Sequence, residues 1–258
     1  MNNILYSNIL GKHNKINILI FHGLFGNGSN WISIANKMSK YYKIHLLDIR
    51  NHGLSFYSNN MNYDLMAIDI INYIKYYKIY KPILIGHSIG GKLVMNFSIK
   101  YPMIPYKIII VDIAPKKYHN IINIIPILKK VNFNIIKSRN DLNNFLKPLI
   151  NDIRIIFFIS KCTKKNSGGK LRFLFNLNAI EKNYNYLINA KITLGKYNGP
   201  SLFLKGEKSD YLVLEDFIII KKIFPKSKIL TIKKSDHWIH IDNPTDFYKE
   251  ICIFLKKK

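Results

Sequence analysis

An α/β fold built on a mostly parallel sheet, with helices on both faces, is predicted for this chain by two features. The first is a series of short apolar runs rich in β-branched residues, each bounded by turn formers, the signature of strands buried on both faces. The second is the regular interposition of helix-length amphipathic segments between those runs, the alternation that a parallel sheet requires. With 258 residues the chain is long enough for one core plus an insertion.

Taken in order, the predicted strands are INILIFHG (16–23), YKIHLLDIR (42–50), KPILIGHS (81–88), YKIIIVDIAP (106–115), GPSLFLKG (199–206) and SKILTIKK (227–234). Helical patterns cover 29–41, 63–77, 89–100, 214–224 and 245–255. Residues 116–198 break the rhythm, with mixed apolar and lysine-asparagine patterning and a loop signal at KKNSGGK. The expected organisation is therefore a core made of 1–115 and 199–258, with 116–198 as a helical cap inserted over one end of the sheet.

Composition excludes several classes. The formal charge is +25, yet only four of the 40 basic residues are arginine, the side chain whose planar fork suits nucleic-acid readout. The lysines are scattered among isoleucine, asparagine and tyrosine, so no specific nucleic-acid partner is expected; a positive cavity mouth that attracts an anionic substrate is the functional reading that survives. The two cysteines, Cys162 and Cys252, have neither disulfide-framework nor metal-ligand spacing, which predicts no metal and fits a reducing cytoplasm. No leader pattern opens the chain, and no run of about 18 apolar residues predicts a membrane span.

The chemistry is expected at GHSIG (86–90), a glycine-x-serine-x-glycine placed between a strand and a helix. Gly86 and Gly90 leave room for a bend too tight for side chains, with Ser88 exposed at its tip. A serine nucleophile needs a base and an oxyanion hole. HGLFGNGSNW (22–31) follows the first predicted strand, so the N–H groups of Leu24 and Ile89 are the expected oxyanion donors, with His22 and Gly23 supporting the loop. Of the eight histidines, His237 lies between the last strand and the last helix and is the expected base; His240 is its competitor. For the acid, Asp112 at the end of the fourth strand and Asp210 after the fifth both remain open.

The motifs HGLFGNGSNW, LLDIRNHGLS, GHSIGGK, VDIAPKKYH and SDHWIHIDNP resemble those of the small YbfF-type esterases of the α/β-hydrolase superfamily. The resemblance implies that fold, an esterase or thioesterase acting on acyl esters or acyl-CoA, no cofactor, and a small helical cap. It also implies Asp112 as the acid, with Ser209 beside the histidine, and leaves Asp210 as a spare. Phe25, Asn51, His52, Tyr118, His119 and Trp238 are the expected pocket residues. A monomer or small homo-oligomer is expected. The rival readings are a ligand-binding receptor on the same scaffold, a lyase, carbon-carbon hydrolase or haloperoxidase sharing the triad, and, last, a basic nucleic-acid-binding protein.

Overall fold

The computed structural model describes residues 3–118, 123–192 and 195–256. A first strand, β1 (Ser7–Leu10), precedes those anticipated; β2 (Asn17–Phe21), α1 (Ile32–Met38, entered through a 3-10 turn at Gly28–Trp31), β3 (Lys43–Leu47), α2 (Tyr63–Tyr76), β4 (Ile83–His87), α3 (Ile89–Lys100) and β5 (Lys107–Val111) follow. Between β5 and the next sheet strand lie α4 (Ile125–Leu128), α5 (Arg139–Leu146), α6 (Ile153–Lys161), β6 (Thr163–Lys165), β7 (Leu171–Phe173) and α7 (Leu177–Asn189). The chain then completes β8 (Ser201–Gly206), α8 (Asp216–Ile223), β9 (Ser227–Ile232), α9 (Ile239–Asp242) and α10 (Pro244–Lys256).

The sheet has seven strands in the order β1-β3-β2-β4-β5-β8-β9, parallel except for β1 on β3. Its strands alternate between two apolar layers, as a period-2 backbone dictates. Ile18, Ile20, Ile83, Ile85, Ile109 and Val111 face α1 and α10, while Leu19, Phe21, Leu84, Ile108 and Ile110 face α2, α3 and α8. After β2 the chain adds β3 on one side and then returns to add β4 on the other. The loops leaving β2 and β4 therefore part at a topological switch point, where such sheets open a crevice beyond the carboxyl ends of their strands.

Two expectations of local structure are corrected. β1 carries an edge pattern, half-exposed throughout, instead of a buried apolar run, so it gave no strand signal. The 116–198 segment is not purely helical: the KKNSGGK loop is the tip of a hairpin, β6 paired with β7. Arg172 and the lysines of these three-residue strands leave one face in solvent, which masked their β character.

Candidate functional site

Ser88 stands between the last residue of β4 and the first of α3, at φ 53 and ψ −121. That backbone conformation is strained for a residue with a Cβ, and the surroundings enforce it. A methyl group on Gly86 would lie 2.2 Å from the Gly90 carbonyl oxygen, and one on Gly90 would lie 2.4 Å from the Phe21 carbonyl oxygen. The bend is thus clamped between its own helix and β2, and Ser88 N–H donates to Val111 O at 3.1 Å on the other side. As the first residue of α3, Ile89 has no helical acceptor for its N–H. The Leu24 N–H likewise has no acceptor among the described residues.

The loop carrying Leu24 is held from beneath by two buried histidines. His22 Nε2 accepts from Ile49 N–H at 3.0 Å, which leaves Nδ1–H to donate to Gly23 O at 2.8 Å. His52 Nε2 accepts from Phe25 N–H at 3.1 Å while its Nδ1–H donates to Arg50 O at 3.0 Å. Both rings must be neutral to accept, and burial pushes His22 down to about 4 and His52 to about 3. Below them, Asp48 accepts from Gly28 N–H at 2.7 Å and Leu54 N–H at 2.8 Å, stitching the loop after β3 to the loop after β2.

Asn51 and His52 do not line the cavity. Both are fully buried, and their stretch docks the end of the β6–β7 hairpin: Asn51 O accepts from Asn176 N–H at 2.8 Å, and His52 bridges Phe175. Both His52 ring nitrogens meet backbone and Asn51 Oδ1 accepts from Ser58 N–H at 2.8 Å, while Asn51 Nδ2 is buried with no partner among the described residues. His119 lies outside the described residues.

His237, in the loop between β9 and α9, has its Nδ1 2.8 Å from Asp112 Oδ2. Asp112 is completely buried, sits at φ 51 just beyond β5, and takes Gly206 N–H on Oδ1 at 2.9 Å, with the Ser209 hydroxyl bonded to Oδ2. Asp210 is exposed at the cavity wall and makes no bond to His237, because the loop after β8 turns Ser209 inward and its neighbour out. His240 is buried, stacked on Trp31 at 4.1 Å and pushed down to about 3 by burial. No carboxylate bonds it among the described residues, and its Nδ1 is buried without a partner. His87 Nε2–H donates to His237 O at 2.9 Å and so anchors the histidine loop to the elbow.

Ser88 and His237 line one cavity of about 770 Å³ together with Gly23, Leu24, Phe25, Ile89, Tyr118 and Trp238. Among the described residues no hydrogen bond joins Ser88 Oγ to His237. Among the described residues no cluster of metal-ligating side chains occurs, and no helix is long and apolar enough to cross a membrane.

Three residues escaped the sequence reading. Tyr211 stacks on His237 with ring centroids 3.7 Å apart, and only its position next to Asp210 pointed to it. Lys92 reaches the cavity from α3 although it is 1% exposed. Its signal was a lone charge on an otherwise apolar helix face. Arg154 on α6 bonds Asp152 and Asp236 at 2.8 and 2.9 Å, spanning the cavity wall to the residue before His237; nothing in the local sequence marked it.

Comparison with known proteins adds three findings. A family model described as alpha/beta hydrolase fold matches residues 16–116. The sn-1-specific diacylglycerol lipase ABHD11 of Danio rerio is 31% identical over 98% of this chain and 83% of its own, and Esterase YbfF of Escherichia coli is 28% identical over 98% of both. A solved structure named Marine microorganism esterase superposes with a TM-score of 0.93 at 35% identity, over 98% of this chain and 100% of that one.

Proposed function

This chain belongs to the α/β-hydrolase family and is a carboxylic ester hydrolase, and from that premise we propose that it works as a serine hydrolase through Ser88, His237 and Asp112. In this reading His237 Nε2 takes the Ser88 hydroxyl proton as Oγ attacks the acyl carbonyl. Asp112 holds the imidazole so that Nδ1–H faces the carboxylate, and stabilises the imidazolium as it forms. The N–H groups of Leu24 and Ile89 receive the oxyanion, which they meet without prior reorganisation. His237 then gives the proton to the departing alcohol or thiol, leaving an acyl-enzyme. Water, deprotonated by the same ring, adds to the acyl carbon; collapse returns the proton to Ser88 and frees the acid.

The observation that carries this reading is the 2.8 Å contact of His237 with a buried, fully hydrogen-bonded aspartate, in the cavity that Ser88 lines. Residues 116–198 act as a cap in this scheme, since Ile155, Phe158, Tyr184, Leu187 and Ile188 supply apolar wall for an acyl chain. Acyl-CoA thioesters belong among the substrates to be tried. Lys117 and Lys208 reach the cavity and pair with no carboxylate among the described residues, so they suit a phosphorylated leaving group.

A fluorophosphonate probe, together with p-nitrophenyl and CoA esters of graded chain length, tests the proposal on the wild type and Ser88→Ala. Labelling and turnover should both vanish in the variant. Retention of either at the wild-type level would remove Ser88 from the chemistry.

A further inference from the structure

Lys92 lies one turn beyond Ser88 on α3, its own N–H donating to Ser88 O at 3.1 Å. Its ammonium is 96 and 98 residues away in sequence from the groups it binds, donating to Ile188 O and Ala190 O, both at 2.9 Å. These are carbonyls of the last turn and cap of α7, where a helix leaves acceptors unsatisfied and its dipole favours a cation. The face of Tyr118, 4.8 Å from Nζ, covers another side of the charge. Tyr118 is itself fixed, accepting from Ala114 N–H at 2.7 Å and donating to Tyr211 O at 2.5 Å.

No carboxylate pairs with Lys92 among the described residues, and burial lowers its ammonium to about 7. Holding a charge so far out of water is costly unless the contacts it makes are worth the cost. What they accomplish is mechanical: Leu187 and Ile188, in the turn that Lys92 holds, are wall residues of the cavity. The tether therefore runs from the helix that begins at the nucleophile to the part of 116–198 that bounds the substrate space.

We propose that Lys92 is a positioning residue that fixes the C-terminal turn of α7 against α3 and so sets the substrate chain length accepted at that end of the cavity. The proposal rests on the hydrolase reading for its substrate and on geometry alone for its tether. The role is mechanical: two of the three ammonium protons are committed to α7 carbonyls.

The test pairs hydrogen exchange of the amides in 187–192 with steady-state kinetics on p-nitrophenyl acetate, butyrate, octanoate and hemisuccinate. In Lys92→Met, exchange in that segment should rise at least tenfold. KM for the octanoate should shift about fivefold relative to that for the acetate, with kcat on each ester falling less than threefold. Lys92→Arg, which retains a cationic donor, should restore part of both. Should Lys92→Met not fold, Lys92→Gln carries the same readouts with a neutral donor.

Unchanged exchange, or an unchanged chain-length profile despite faster exchange, would overturn the proposal. So would a selective loss of the hemisuccinate, which would make Lys92 a direct ligand for an anionic chain. Equal loss of kcat on every ester with exchange unaltered would place Lys92 in the chemistry instead. Because exchange needs no turnover, a chain that fails to hydrolyse any ester still tests the tether, so the two readings fail separately.

Discussion

Gly86 and Gly90 leave the elbow no room for a methyl group, whereas the facing wall from α6 and α7 is held by side chains that meet carbonyls or solvent-exposed carboxylates. On the sheet side, the residues proposed to react are carried by backbone whose hydrogen bonds and close approaches leave one arrangement. Contact with the 116–198 side runs through long side chains instead: Arg154 and Phe158 reach out from α6, Phe158 meeting Trp238 at 5.6 Å, and Lys92 reaches from α3 to the end of α7. The difference teaches where each kinetic parameter resides. Changes on the sheet side should act on kcat and on folding, and changes on the other side on KM.

The largest expected effect is at the acid. Asp112→Asn leaves His237 Nδ1 without its acceptor, and kcat should fall about 10⁴-fold, measured on a short ester with active-site titration to count folded enzyme. Asp210→Asn, assayed beside it, should stay within threefold. If the two losses were reversed, the acid would have been assigned to the wrong aspartate.

Next comes Gly90→Ala. The added methyl would meet the Phe21 carbonyl oxygen at 2.4 Å, so β2 and the Leu24 loop that follows must move. About 3 kcal/mol of stability should be lost in urea unfolding, and kcat should fall more than stability alone explains. A wild-type kcat in this variant would show that the oxyanion geometry tolerates a shift of β2, which would blunt the contrast between the two walls.

The buried histidines give the same contrast a pH axis. His22 and His52 have folded values of about 4 and about 3, below the 6.5 of a free imidazole. Unfolded chains therefore bind protons on these rings first. Their contribution is complete above pH 6.5 and is lost as pH falls towards the folded values, amounting to about 2 to 3 kcal/mol for each ring at pH 4.5. His52→Gln should flatten the decline of stability between pH 6.5 and 4.5, seen as urea midpoints across that range, while lowering stability at pH 7 through the imperfect replacement of its two hydrogen bonds. An acid profile identical to the wild type would mean that the ring carries no such linkage.

How much of this was legible follows from the kind of contact. The parallel strands announced themselves because burial on both faces demands uninterrupted apolar residues, as in IIIV of β5, and the elbow did so because its crowding excludes everything but glycine. Asp112 could be reached only through resemblance, since the choice between it and Asp210 depends on which way the loop after β8 turns Ser209. Asn51 and His52 misled: polar residues in a motif look like ligand binders, and only the fold shows both buried away from the cavity, with His52 and Asn51 Oδ1 engaged by backbone N–H groups. Arg154 and Asp236 were illegible because their pairing joins residues 82 apart with no local pattern to mark either.

That pair supplies the smallest expected effect and the finest test of the contrast. Arg154 and Asp236 are 46% and 32% exposed at their side chains, so water and salt screen them and their pairing stabilises the fold by at most about 1 kcal/mol. Asp236 is nevertheless no bystander, because its Oδ1 accepts the His237 N–H at 2.8 Å and its own N–H donates to Asp242 Oδ2 at 2.8 Å. Those backbone contacts hold the histidine loop without Arg154. Arg154→Gln should therefore leave kcat within twofold and raise KM about threefold, with raised salt bringing the wild-type KM towards that of the variant. A kcat loss of tenfold at unchanged KM would mean that the far wall orients His237 directly, and the division between a rigid reacting side and an adjustable binding side would fail.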